Sequence, residues 1–400
     1  MKKIRLGDTY YELPKSKYQV QHADNIGQYP FYTSGDKIFT HSEYNVEDDI
    51  VFIATGGKAN VKFNSGKSAY STDTYAIKGN AHSSKYLFYL LLNNLSYIDR
   101  NFFSGSGLKH LQKKDFRNWL LHFPDDLDEE MTIVKYLTIL DNAITSTSQL
   151  IAKYQCIKNG LLHDLLTRGI DQHGNLRSEK THQFKDSKLG RIPMEWEVVS
   201  LKQLMIKGRG FIQTGPFGSQ LHSYEYVSEG IPVIMPQDIQ ELTISIENIA
   251  RITEQKASSL SKHLVLDGDF IYARRGDISR CAVVTTNQKG WFCGTGCILM
   301  RFEKEDILNP NWFKLFYQSS KGQNQIKANA VGLMMINLNS SVLNQLNIYQ
   351  VPIDEQNSIV RISKNIESSI QNFRTNLTKL QSLKTGLMQD LLGGKVRIEI

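Results

Sequence analysis

Shifted by 226 residues, the chain matches itself. Residues 128–170 align with 354–396 without a gap, and 13 of 43 positions are identical. They include Asp128/Asp354, Glu129/Glu355, Ile144/Ile370, Lys153/Lys379, Gln155/Gln381 and Lys158/Lys384. The match tightens where Gly160-Leu161 meets Gly386-Leu387 and Asp164-Leu165-Leu166 meets Asp390-Leu391-Leu392. A repeat of this kind means that one structural unit is built twice, so it bounds the architecture before any local reading does.

Both copies read as long helices. Ile133, Leu137, Leu140, Ile144, Ile151, Tyr154, Leu161 and Leu165 recur mostly at steps of three and four, with Thr147 interrupting. Ile366, Ile370, Phe373, Leu377, Leu380, Leu387 and Leu391 do the same in the second copy. Pro124 and Pro352 stand just before each run, where proline starts a helix rather than breaking it. Roughly 40 helical residues at ~1.5 Å each make a rod of about 60 Å. An apolar stripe of that length needs cover, and the other copy is the obvious partner.

The globular parts repeat more faintly. Asp48-Asp49-Ile50-Val51-Phe52-Ile53 before Gly56-Gly57 parallels Gly268-Asp269-Phe270-Ile271-Tyr272-Ala273 before Gly276, each an apolar strand entering a glycine turn. Gly107-Leu108 to Leu111 likewise parallels Gly332-Leu333 to Leu338. Charge divides the chain as well: residues 1–123 hold 16 Lys+Arg against 11 Asp+Glu, while 124–167 hold 3 against 7. The expected plan is α+β, a pseudo-two-fold repeat of two globular α/β heads joined by two long antiparallel helices. Residues 1–123 form the first head and 124–167 the first helix. Residues 168–194 form a polar linker, 195–351 the second head, and 352–400 the second helix and tail.

Composition excludes several classes. An apolar share of 40% with 10% aromatic fills cores of this size and argues against disorder. No apolar run approaches the ~18 residues of a membrane span, and Tyr86 to Leu92 reads as a core helix. The amino terminus turns polar too soon for a signal peptide. Four cysteines (Cys156, Cys281, Cys293, Cys297) make no disulfide framework, which points to the cytoplasm. Cys293 and Cys297 could be half of a metal site, but no second pair at ligand spacing completes it. A formal charge of +7 suggests nucleic acid or an acidic partner.

Catalytic motifs are missing. None of the nine prolines adjoins another, which removes the Asn/Asp-Pro-Pro-aromatic loop of amino-methyltransferases. Gly105-Ser106-Gly107 and Gly294-Thr295-Gly296 lack the later glycine of a dinucleotide loop. No Walker lysine, paired histidine spacing or Gly-x-Ser-x-Gly elbow occurs. Glu47, Asp48 and Asp49 read as a solvated turn ahead of a strand.

What remains suits the reading of DNA. Lys58, Lys62 and Lys67 in the first head, and Arg274, Arg275 and Arg280 in the second, lie in or beside polar glycine-bearing loops. Arginine forks onto a guanine edge, while lysine mainly finds phosphate. Gln213, Thr214, Ser219, Gln220 and Gln237 add neutral donors and acceptors of the kind that read adenine. Two other classes compete: a DNA-acting enzyme of unrecognised motif, and a two-headed scaffold that binds proteins rather than DNA.

The run Gly215-Pro216-Phe217-Gly218-Ser219-Gln220-Leu221-His222, then Gly230-Ile231-Pro232-Val233-Ile234, Asp267-Gly268-Asp269 and Arg274-Arg275-Gly276-Asp277, resembles a target-recognition domain of type I restriction-modification specificity subunits. Leu165-Leu166-Thr167-Arg168-Gly169-Ile170-Asp171, leading to Leu189-Gly190-Arg191-Ile192-Pro193 and Glu195-Trp196, is similar to that family too. So is Pro352-Ile353-Asp354-Glu355-Gln356 with Ile359. The first head departs by lacking the proline-tryptophan lead-in, and Glu130 stands where the second copy has Gln356. The resemblance covers nearly the whole chain. It implies a non-catalytic subunit whose two recognition domains each read one half of a split double-stranded DNA target, with helix length setting the gap. It also implies two docked methyltransferase subunits that modify adenine with S-adenosylmethionine, and restriction motor-nuclease subunits that use ATP and Mg²⁺. Those cofactors belong to the partners, and no cofactor or metal site is expected in this chain.

Overall fold

A computed structural model of the chain describes residues 1–24, 26–240, 243–304, 306–329 and 338–398. Gly332 and Leu333 of the faint repeat lie outside the described residues. The chain forms two compact units, and both long helices contribute to each: residues 1–151 with 372–400, and residues 152–371.

In the first unit, Ile50–Ala54 is buried along its whole length at the centre of a four-stranded antiparallel sheet. The order is Tyr10–Glu12, Thr74–Gly79, Ile50–Ala54, Val61–Asn64. The equally buried Phe270–Ala273 holds that place in the second unit, in the order Phe211–Thr214, Cys297–Arg301, Phe270–Ala273, Cys281–Val283. Continuous Ile/Val/Phe/Tyr runs give strands covered on both faces.

A second sheet repeats as well. Tyr29–Tyr32 pairs antiparallel with Phe39–His41 and parallel with Lys67–Tyr70. Ile231–Ile234 pairs antiparallel with Ala250–Ile252 and parallel with Phe292–Cys293. Pro30 and Pro232 fall at the same place in the two strands. A closing pair completes each unit, Lys2–Arg5 with Leu120–Phe123 and Glu197–Ser200 with Asn347–Gln350. Each closing strand runs straight into a long helix.

Those helices are Leu127–Thr167 and Ile353–Leu387, the latter extended by a wider turn over Met388–Leu392. Within the first unit, Glu129 meets Arg397 and Asp141 meets Lys384, so rising numbers on one side meet falling numbers on the other. Within the second, Lys158 lies 2.9 Å from Glu367, and the Ile170 amide donates to Glu355. The segments are antiparallel in both. Ile133 and Leu137 are fully buried in the same core as Met388 and Leu391, and each such side chain contributes roughly 1.5–3 kcal/mol. Thr147, which interrupts the apolar stripe, points inward and donates its hydroxyl to the Ala143 carbonyl. A buried hydroxyl satisfied by its own helix leaves the stripe intact.

The Tyr86 to Leu92 run lies in a helix over Ser84–Asn93, capped by Ser83. Its counterpart is Pro310–Gln318, capped by Asn309. Glu130 accepts from the Ser83 amide at 2.6 Å and from His82 Nδ1 at 2.8 Å, while Gln356 accepts from the Asn309 amide at 2.8 Å. The Glu130/Gln356 difference thus preserves one task, which is to anchor the start of a core helix.

Residues 168–194, read from sequence as a polar connector, pack closely into the second unit. Ile170, Arg177 and Ile192 are buried, and Phe184–Lys185 pairs with Ile192–Pro193. One of the connector's charges is used internally, as Arg177 engages Glu355.

His263 in the second unit is also buried, with neither ring nitrogen hydrogen-bonded, and packs on Phe292. Burial pushes its pKa down to about 4. The fold therefore favours the neutral ring, and the unfolded chain binds the proton first as pH drops below ~6.5. Stability from this group is complete above that pH and is lost between about 6.5 and 4. We expect a cost of about 2 kcal/mol at pH 5 relative to neutral pH, seen in denaturant melts of the second unit. His263→Phe should flatten that dependence, and an unchanged pH profile in the variant would remove His263 as its source.

Candidate nucleic-acid interface

In the second unit the sheet register decides which side chains gather. Thr214 pairs with Ile298, Ala273 with Cys297, and Tyr272 with Cys281. Three strands therefore release their loops at one end: 215–222 after Thr214, 274–280 after Ala273, and 294–296 before Cys297. Gly215 lies so close to the 294–296 turn that a Cβ there would come 2.0 Å from the Gly294 carbonyl oxygen. Only glycine fits this crossing. Thr295 Oγ1 donates to the Pro216 carbonyl at 3.0 Å, and the Arg280 Nη1 donates to the Pro236 carbonyl at 3.4 Å. The short turn Pro236–Asp238, which carries Gln237, thereby joins the same edge.

Each expected residue of this unit can be located. Gln213 and Thr214 close the strand Phe211–Thr214, and the Gln213 amide donates to the Thr214 carbonyl. Ser219 is exposed on the following loop, and Gln220 accepts from the Phe217 amide. Gln237 is exposed on its turn. The Arg274 main chain is fastened on both sides, its N–H donating to Gly296 and its carbonyl accepting from Leu338. The guanidinium of Arg274 stands 5.5 Å from the centre of the Phe217 ring, and burial lowers its pKa. Arg275 is exposed beside it. Asp269 is held by Arg301 at 2.6 Å, and Asp277 by Ser279 and Arg280. The second unit thus brings all eight of its expected residues to one end of one sheet.

The first unit shows the same plan with other side chains. Loops 33–36, 55–60, 71–73 and 105–110 meet beyond Ala54, and Leu111 donates to the Thr55 carbonyl just as Leu338 does to that of Arg274. Lys58 is exposed there, in a hollow shared with Ser34, Asp36, Asn60, Asp73 and His110. Lys62 is placed differently. It sits in the strand Val61–Asn64, and its ammonium donates to the carbonyls of Thr33 and Gly35, fastening that loop from inside. Lys67 opens the strand Lys67–Tyr70 at its far end and lies over the Tyr44 ring at 4.7 Å. Lys58 and Lys67 are not brought together.

Sequence reasoning passed over Ser34, Asp36, Asn60, Asp73 and His110 in the first unit, and Gln240 and Ser279 in the second. The signal for His110 was present, because it directly precedes Leu111, the partner of Leu338 in the repeat. Ser34-Gly35-Asp36 also follows an aromatic strand in the manner of the loops singled out.

Among the described residues no group of three or more His, Cys, Asp or Glu could hold a metal ion. Nor is any described helix long and apolar enough to cross a membrane. Burial raises the thiols of Cys293 and Cys281 to about 12.

A family model, the type I restriction modification DNA specificity domain, matches residues 6–154 and again 193–382. The chain belongs to this family. The two matches fall one on each copy of the repeat. This specificity chain is 24% identical over 422 residues to the type I restriction enzyme MjaVIII specificity subunit of Methanocaldococcus jannaschii, covering 99% of this chain and 93% of that protein. It is also 24% identical over 286 residues to the type I restriction enzyme EcoDI specificity subunit of Escherichia coli, covering 68% and 61%. In fold it is similar to the type I restriction-modification S subunit of M. genitalium, with a TM-score of 0.64 at 14% identity over 98% of this chain and 95% of that one. A second similar chain, from a structure on complex assembly and conformational transition of the type I R-M system, has a TM-score of 0.53 at 14% identity, covering 98% and 97%. The α+β plan with an internal repeat is that of this fold.

Proposed function

We propose that this specificity chain is the non-catalytic DNA-reading subunit of a cytoplasmic type I restriction-modification enzyme, each unit reading one half of a bipartite duplex target. The observation that carries this reading is the loop cluster built twice, once in each unit at the corresponding end of its own four-stranded sheet, with polar and cationic side chains after the central buried strand. Hydrogen bonds within each unit fix the loops, so the exposed side chains they carry are left to meet base edges and phosphates. Relatives that are specificity subunits of type I restriction enzymes support it.

On this reading the long helices dock two methyltransferase subunits and set the gap between the half-sites. S-adenosylmethionine is bound by those subunits, and ATP with Mg²⁺ by motor-nuclease subunits. This chain supplies position and sequence preference. The test is to map modified adenines in DNA from cells carrying the chain with its methyltransferase subunits. A split motif with a fixed gap is expected. Inserting four residues near Thr147 should lengthen the helix by ~6 Å and the gap by one or two base pairs at ~3.4 Å each. An unaltered gap would deny the helices any measuring role, and a continuous motif would deny the two-reader arrangement.

A further inference from the structure

Beside the loop edge of the second unit lies a cleft of about 440 Å³, walled by Gln237, Gln240, Asp277, Ser279, Arg280 and Gln318. Its polar groups come from separate segments, yet they face one space. Arg280 is tied through both its main chain and its side chain. Its carbonyl accepts from the Ala273 amide at 2.9 Å, which locks its main chain to the end of the central strand. Its Nε lies 3.5 Å from one oxygen of Asp277, and its Nη1 donates to the Pro236 carbonyl. The other Asp277 oxygen accepts from both the amide and the hydroxyl of Ser279, so the carboxylate is itself fixed.

Both Arg280 and Asp277 are well exposed, at 45% and 57% of their side chains. A surface ion pair of this kind contributes little to stability. What it does is bias a long side chain toward one arrangement before any ligand arrives, which lowers the ordering cost of binding. A planar fork held in this way, with amide-bearing Gln237 and Gln240 beside it, suits the two acceptors that guanine shows in the major groove.

We infer that Arg280 reads a guanine in the half-site of the second unit, with Asp277 as the positioning residue that aims its guanidinium. This rests on the DNA-reading function proposed above and names the base it takes. Asp277 acts only through Arg280. Its negative charge opposes DNA in general, so its removal separates aiming from simple electrostatics.

The experiment uses the full chain in complex with its methyltransferase subunits. The half-site of the second unit is first identified by exchanging residues 195–350. Each guanine there is then replaced by 7-deazaguanine, which lacks the N7 acceptor. Wild-type affinity should fall about tenfold at one guanine and little elsewhere. Arg280→Lys and Asp277→Asn should each lose most of that sensitivity and accept other bases at that one position, with matched melting curves. If Asp277 merely repels phosphate, Asp277→Asn will bind all duplexes more tightly with discrimination intact, which overturns the aiming role. A half-site without guanine, or wild-type binding indifferent to every 7-deazaguanine, overturns the assignment without needing a variant. A complex that neither binds nor modifies duplex DNA refutes the proposed function itself, a different result from either.

Discussion

Glu355→Ala should destabilise the second unit by about 3–5 kcal/mol, a large share of the ~5–15 kcal/mol typical of a domain. Glu355 is buried at the start of the second long helix and collects four donors. Arg177 reaches it with Nη1 at 2.5 Å and Nη2 at 3.2 Å, the Trp196 indole N–H at 3.1 Å, and the Ile170 amide at 2.9 Å. Truncation takes the carboxylate from a guanidinium, an indole N–H and a backbone amide together, leaving the buried Arg177 with the Arg168 carbonyl at 3.4 Å and Glu195 at 3.9 Å. Gly169 presses on the same knot with a positive φ of 62°, and a Cβ there would lie 2.1 Å from Glu355 Oε1. Calorimetry or denaturant melts should show an early transition for the second unit, with the first nearly unchanged. Glu355→Gln keeps one acceptor oxygen but turns an NH2 toward the two donors that shared the other, and should fall between. Glu355→Ala melting with the wild type would remove the knot from the stability of the fold.

Exchanging residues 195–350 for the recognition domain of another specificity subunit should replace one half of the modified motif completely and leave the other half unchanged. The reason is local. The loops at 215–222, 235–240, 274–280 and 294–296 are fixed by bonds inside the second unit, such as Thr295 to Pro216 and Arg280 to Pro236. The first unit has its own counterparts around Thr55 and Lys58. Mapping modified adenines before and after the exchange checks the result. Both halves changing together would mean that recognition is pooled, and the two-reader account would fall.

What the sequence made legible was whatever depends on periodicity and punctuation. The 3.6-residue stripe yielded both long helices, and the buried runs before Gly56-Gly57 and Gly276 yielded the two central strands. Arg274 and Arg275 follow Ala273 on the loop where they were expected. What stayed hidden was partnership across long separations. Nothing near Lys62 announces that its ammonium will fasten Thr33 and Gly35, about thirty residues back. Nothing near Arg177 announces Glu355, 178 residues on. A cation reads alike in sequence whether it faces solvent or closes a fold, and only the packing around it tells them apart. The 168–194 stretch reads as connector for that reason, since Arg177, its one buried charge, looks no different in sequence from its exposed neighbours.

The two central strands end on the same backbone bond, Leu111 to the Thr55 carbonyl in one unit and Leu338 to that of Arg274 in the other. The side chains at this station could hardly differ more, a threonine in one unit and an arginine in the other. Side chains brace these loops too, as Thr55 does to the Asp73 carbonyl and Thr295 to that of Pro216, but the bond that ends the central strand asks only for a backbone carbonyl. Substitutions at exposed positions on these loops, such as Lys58 and Arg275, escape the toll that core substitutions carry, so drift there leaves the scaffold folded. Lineages descended from such a chain should therefore diversify fastest at the strand ends, where exposed side chains change without disturbing the backbone bond beneath them.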